Sequence, residues 1–135
     1  MKQNKQGFTL IELVAVIILI AIIALIAIPA ISDLLTEARK SAFEDTAYGV
    51  IRAGELYYEK QLMKTGKGSE YTFTFPDATG LEVSGKKPDT GSMKINNKGK
   101  VALAISNGEY CATKGFDDAE VTLSENVDSC TLGSE

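Results

Sequence analysis

The sequence predicts an α+β chain. One long N-terminal helix, apolar in its first half and amphipathic in its second, lies against a small antiparallel sheet of three or four strands. Three observations predict it. An uncharged apolar run fills Leu13 to Ile31. A helix-compatible stretch continues from Ser32 to about Lys64. The remainder breaks into short alternating segments separated by turns rich in Asn and Gly. The length of 135 residues suits one small domain plus attachments.

Composition narrows the function. The net charge of -4 carries no basic signature for nucleic acid. Lys64, Lys67, Lys86, Lys87, Lys94, Lys98 and Lys100 are mixed with acids and lack an array of stacking aromatics, so direct nucleic-acid binding is not supported. The chain has no His, which removes the commonest general base and metal ligand. No nucleophile is paired with a base, and no residue cluster has metal-ligand spacing. Thr65-Gly66-Lys67-Gly68-Ser69 lacks the spacing of a phosphate loop. Neither enzymatic activity nor a cofactor is expected.

The first element stands behind a short polar segment, Met1 to Gly7, whose Lys2 and Lys5 favour a cytoplasmic N-terminus and an external remainder. As a helix, Leu13 to Ile31 is close to the roughly 20 residues that cross a hydrocarbon core of ~30 Å. A buried core helix is the alternative, but the rest of the chain is too small to surround it. A secretory signal cleaved near Ala30 and a plain single-span anchor are two further readings. Glu12 argues against the plain anchor, because it places a carboxylate at the start of the run, after Phe8, Leu10 and Ile11. At a bilayer centre such a charge costs ~2.5–3.5 kcal/mol, and less near an interface. It either lies at headgroup level, favoured by the helix macrodipole, or awaits a cation from another chain.

Gly7-Phe8-Thr9-Leu10-Ile11-Glu12, after a short basic leader and before a long apolar run, resembles the processing site of type IV pilins and pseudopilins. The resemblance implies that a membrane prepilin peptidase cuts between Gly7 and Phe8 and methylates the new N-terminus of Phe8. It divides the chain into a leader at 1–7, a transmembrane and polymerisation helix at 8–31, an amphipathic helix half at 32–64 and a globular β region at 65–135. Phe8 and Glu12 would lie four residues apart on one helix face. In the family this carboxylate pairs with the N-terminal ammonium of a neighbouring subunit, and pairing offsets part of the cost of each charge in lipid. Pro29 removes the helical partner of the Leu25 carbonyl. That is either a kink that a membrane helix tolerates or, by resemblance, the end of a segment from Ala21 that melts in assembled filaments.

In the second helix half, Leu35, Ala38, Ala42, Val50, Ala53, Leu56 and Tyr57 fall on one broad side, with Glu37, Glu44, Glu55 and Glu59 roughly opposite. Ile51, Tyr58 and Leu62 lie off that stripe and face neighbouring subunits or the edge of the sheet. Gly49 and Gly54 weaken the helix slightly. Beyond it, Tyr71 to Phe75, the Met93–Ile95 segment and Lys100 to Ser106 read as strands. Asn107-Gly108 signals a hairpin leading into Glu109 to Ala112, and Val121 and Leu123 suggest one more short strand.

Cys111 and Cys130 enclose 18 residues, and an even cysteine count outside the cytoplasm suggests one disulfide. It resembles the disulfide-bounded C-terminal loop of many type IV pilins. Two unpaired buried thiols are the alternative. Asp117, Asp118, Glu120, Glu125 and Asp128 inside that loop read as a solvated acidic surface, without a calcium-binding pattern.

The resemblance implies a structural subunit of a type IV pilus that serves adhesion, motility or biofilm formation. A pseudopilin of a type II secretion or DNA-uptake system is the alternative, and a membrane-anchored binding domain a third. The implied partners are other pilin subunits, the prepilin peptidase, and the assembly platform and ATPase. The implied location is the cytoplasmic membrane before assembly and an extracellular filament after it.

Overall fold

A computed structural model of the chain describes residues 7–133. In chain order the elements are α1 (Leu10–Thr65), β1 (Tyr71–Phe75), β2 (Thr90–Ile95), β3 (Val101–Ser106), β4 (Cys111–Lys114) and β5 (Thr122–Ser124). Contacts divide the chain into two units that meet at Ala38 and Arg39. The helix ends one residue beyond the expected Lys64 and begins two residues after the expected Phe8.

In the first unit, every described residue except Ala24 and Ala27 is exposed. Pro29 stays within the helix. One turn on, the Ser32 hydroxyl donates to the Ile28 carbonyl at 3.0 Å.

The second unit has an ordinary core. Phe43, Ala47, Val50, Ile51, Ala53 and Gly54 are the buried helix residues. They meet Phe73, Phe75, Met93, Ile95, Val101, Leu103 and Ile105 from the sheet. The buried helix face therefore differs from the expected stripe. Ala38 and Ala42 are exposed, Leu35 and Leu56 remain 50% and 55% exposed, and Ile51 turns inward. Close approach explains the difference. A Cβ at Gly54 would lie 2.9 Å from the sulfur of Met93, itself fully buried, so this face is selected for small size as much as for hydrophobicity. Glycine inside a helix costs ~1 kcal/mol relative to alanine, and the close packing against Met93 offsets it.

The sheet has five strands in the order β1-β2-β3-β4-β5, each antiparallel to its neighbour, one more than the upper expectation. The last is β5, at the short strand expected from Val121 and Leu123; its Leu123 pairs with Ala112 and packs on the core. The Asn107-Gly108 hairpin joins β3 to β4, but through a four-residue loop in place of the two-residue loop expected, because Ser106 pairs with Cys111. The Asn107 side chain sets that length by accepting from the backbone N–H of both Glu109 and Tyr110, at 3.0 and 2.9 Å. This turns the Tyr110 ring inward, 6.4 Å from that of Phe43.

Two devices fix the sheet further. At the β2–β3 turn, the Tyr58 hydroxyl donates to the Asn97 carbonyl at 2.6 Å. Gly99 there has φ +84°, and any Cβ would lie 2.8 Å from the Tyr58 ring, so glycine is required both by conformation and by space. β3 is buried on both faces. Val101, Leu103 and Ile105 enter the core, while Ala102, Ala104 and Ser106 point the other way. A disulfide joins Cys111 to Cys130, with Cα atoms 5.6 Å apart. It holds the Cys130 sulfur 3.2 Å from the Ile105 carbonyl oxygen and brings Thr131 and Leu132 beside Ala102.

The ion pairs Arg39–Glu109, Lys40–Glu125, Lys60–Glu82 and Lys100–Asp117 are all exposed. Such pairs contribute ~0–1 kcal/mol each, so apolar packing and the disulfide hold the fold. The hydrogen bond from Lys100, and then its charge, hold the Asp117 carboxyl below the usual carboxylate range.

Candidate functional site

The N-terminal segment contains the residues with the most distinctive chemistry. Gly7, Phe8 and Thr9 have no regular secondary structure, and the helix opens at Leu10. The helix starts there because Thr9 caps it. The Glu12 backbone N–H donates to the Thr9 hydroxyl at 3.3 Å, and the Thr9 backbone N–H donates to the Glu12 carboxylate at 3.4 Å. This reciprocal arrangement is a capping box, which satisfies two N–H groups that a helix start leaves unpaired. The Leu13 N–H closes the first turn on the Thr9 carbonyl at 3.1 Å.

Three consequences follow. First, the Gly7–Phe8 bond lies in irregular chain, the backbone form a peptidase can engage. Second, Phe8 lies outside the helix and is 92% exposed, so Phe8 and Glu12 do not yet share the helix face expected of them. Third, the Glu12 carboxylate serves its own helix and faces solvent. Thr-x-x-Glu before an apolar run is a capping signature, so the sequence itself carries the signal for Thr9.

Behind the cap, residues 13–31 contain thirteen Leu, Ile and Val side chains and no charge. These side chains are 45% to 76% exposed. The helix is long and apolar enough to cross a membrane, and none of its most apolar window is buried within the chain. Burying one such side chain fully stabilises by ~1.5–3 kcal/mol. The run as a whole thus far outweighs the ~2.5–3.5 kcal/mol that a single carboxylate such as Glu12 costs in lipid. Such a surface fits membrane anchoring.

Elsewhere, the described residues contain no group of three or more His, Cys, Asp or Glu side chains able to hold a metal ion. The acids of the C-terminal loop are engaged separately. Asp117 pairs with Lys100, Glu125 pairs with Lys40, and Asp118 accepts from the Gly115 N–H at 2.8 Å.

Residues 2–28 match the family model described as the prokaryotic N-terminal methylation motif, the signature of type IV prepilins. No curated protein and no solved structure matches the chain. The fold agrees with that signature, since a long N-terminal helix packed on an antiparallel sheet is the type IV pilin arrangement. The chain thus carries the type IV prepilin signature at its N-terminus and has a long helix packed on an antiparallel sheet, as in the type IV pilin fold.

Proposed function

We propose that this chain is a structural subunit of a type IV pilus, made as a membrane precursor and polymerised through its N-terminal helix into a surface filament. The observation that carries this reading is the prepilin signature running into a helix whose apolar side chains are exposed among the described residues. Prepilin peptidase would cut at Gly7–Phe8 and methylate Phe8. Loss of the leader removes Lys2 and Lys5 and takes the side-chain charge from -4 to -6. Extraction from the membrane by the assembly platform and its ATPase would exchange lipid for neighbouring helices, an apolar environment of equal kind. Glu12 would then leave its own cap and pair with the ammonium of Phe8 in an adjacent subunit. Phe8 and Glu12 are therefore assembly residues, and Pro29 marks the place where the helix is most easily opened.

Electron microscopy of material sheared from the cell surface tests this reading. Long filaments containing the chain are expected. Their absence, with the processed chain retained in the envelope, would place it in a pseudopilus instead.

A further inference from the structure

The second unit has two oppositely charged patches that its own folding does not bring together. One is a groove of about 520 Å³ between α1 and the β1–β2 connection, running along the helix from Gly49 to Lys64. Its lining includes Arg52, Lys60 and Lys64 against a single carboxylate, Glu82. Leu56 lies among these cations, 55% exposed. Lys60 has Glu82 at 3.6 Å, whereas Arg52 and Lys64 join none of the ion pairs among the described residues.

The other patch is the disulfide-bounded segment. Residues 115–133 contain Asp117, Asp118, Glu120, Glu125 and Asp128 and neither Lys nor Arg. Glu120 and Asp128 are exposed and join no ion pair among the described residues. Val127, half-buried, lies between Glu125 and Asp128 in sequence, an apolar residue among acids as Leu56 is an apolar residue among cations.

No ion pair joins the two patches within one chain among the described residues. The groove adjoins the β1 edge, where Tyr57 packs on Tyr71 and Phe73. The acidic segment carries β5, the opposite edge. It also meets the helix lower down, where Lys40 pairs with Glu125 and the Val121 N–H donates to the Tyr48 hydroxyl. The patches thus lie toward opposite edges of the sheet. Two complementary surfaces at different places on one molecule form a heterologous, head-to-tail contact, the type that builds open helical polymers.

We infer that the Arg52–Lys64 groove receives the acidic 115–133 segment of a second copy of this chain. The inference rests on the polymer reading above and adds which outer surfaces of the subunits meet. The apolar helices supply the bulk of the cohesion. The charged contact fixes which face of each globular unit turns to its neighbour, since mismatched like charges are penalised.

Charge exchange in the full-length chain tests it. Arg52→Glu with Lys64→Glu should lower filament yield about tenfold at unchanged monomer level, as should Glu120→Lys with Asp128→Lys. All four together should return yield to within about twofold of wild type. Arg52→Gln with Lys64→Gln, which removes charge without repulsion, should give an intermediate loss. Alongside, a zero-length carbodiimide reagent applied to intact cells should join Lys60 or Lys64 of one chain to Glu120, Glu125 or Asp128 of another. Mixed isotope labelling identifies the link as interchain. That link in membrane material without filaments would sustain the contact while removing the pilus reading. Full yield in both reversal variants, failure of the fourfold exchange to restore yield, or interchain links confined to other carboxylates would overturn the inference. Restoration of a groove variant's yield by an added polyanion would overturn it too.

Discussion

Replacing Glu12 with Ala is expected to abolish filaments while leaving a membrane-inserted, processed monomer. The observed cap and the proposed pairing would both be lost in that variant, and their magnitudes separate them. The cap on Thr9 is a pair of exposed bonds. Losing such a cap costs ~1 kcal/mol, which frays one helix turn and leaves the apolar run able to insert. Within a bundle of apolar helices, removing one partner of a buried ion pair costs ~3–5 kcal/mol, because the other charge is left uncompensated. At every subunit junction that is a factor of roughly a hundred or more. Glu12→Gln decides between the roles. Gln still accepts in a capping box but carries no charge. The proposed pairing predicts that Gln fails as Ala does, with sheared filament yield down by about two orders of magnitude. Normal yield from Glu12→Gln would assign the carboxylate to capping alone.

Removing the disulfide should have the next largest effect. Cys111 and Cys130 are 19 positions apart, and closing a loop of that length stabilises by ~3 kcal/mol on the chain-entropy model. The bridge also ties the C-terminal segment to the outer face of β3, where Ala102 and Ala104 are 4% and 1% exposed. Without it, that segment keeps the short β5, the packing of Val121 and Leu123 on the core, the Val121–Tyr48 hydrogen bond and weak surface ion pairs. For a domain of this size, Cys111→Ser with Cys130→Ser is expected to lower Tm by on the order of 10–20 °C. Thermal unfolding of both forms, with and without reductant, checks it. Reductant should bring the wild type down to the variant and leave the variant unmoved. A shift below about 3 °C would mean that the tail is held by packing and that the bridge contributes little.

The parts of the chain legible in the sequence were those set by local chemistry. The basic leader, the uncharged run and Glu12 are contiguous, so their combination needs no tertiary information to be recognised. The β2 and β3 segments were legible because Met93 and Ile95, and Val101, Leu103 and Ile105, alternate with smaller or polar residues. The buried helix face was not legible in the same way. Hydrophobicity favours Leu35 and Leu56, yet the sheet selects Ala47 and Gly54, because what decides is how closely two backbones can approach. That quantity belongs to the partner surface and is absent from the helix sequence. At the N-terminus, the charge of Glu12 points to a partner in another chain, whereas the fold engages it locally with Thr9. Asn107-Gly108 fits a two-residue turn, whereas the Asn107 side chain builds a longer one.

In the proposed function this chain is a precursor whose exposed apolar helix becomes the core of a polymer, and the intact mass of the subunit taken from the assembled, sheared fraction decides whether it is. The predicted species lacks Met1 to Gly7, carries one added methyl group on Phe8, and retains the two hydrogens' deficit of the Cys111–Cys130 bridge. An assembled subunit that still carries its leader, or one cleaved near Ala30 without its apolar helix, would contradict the claim.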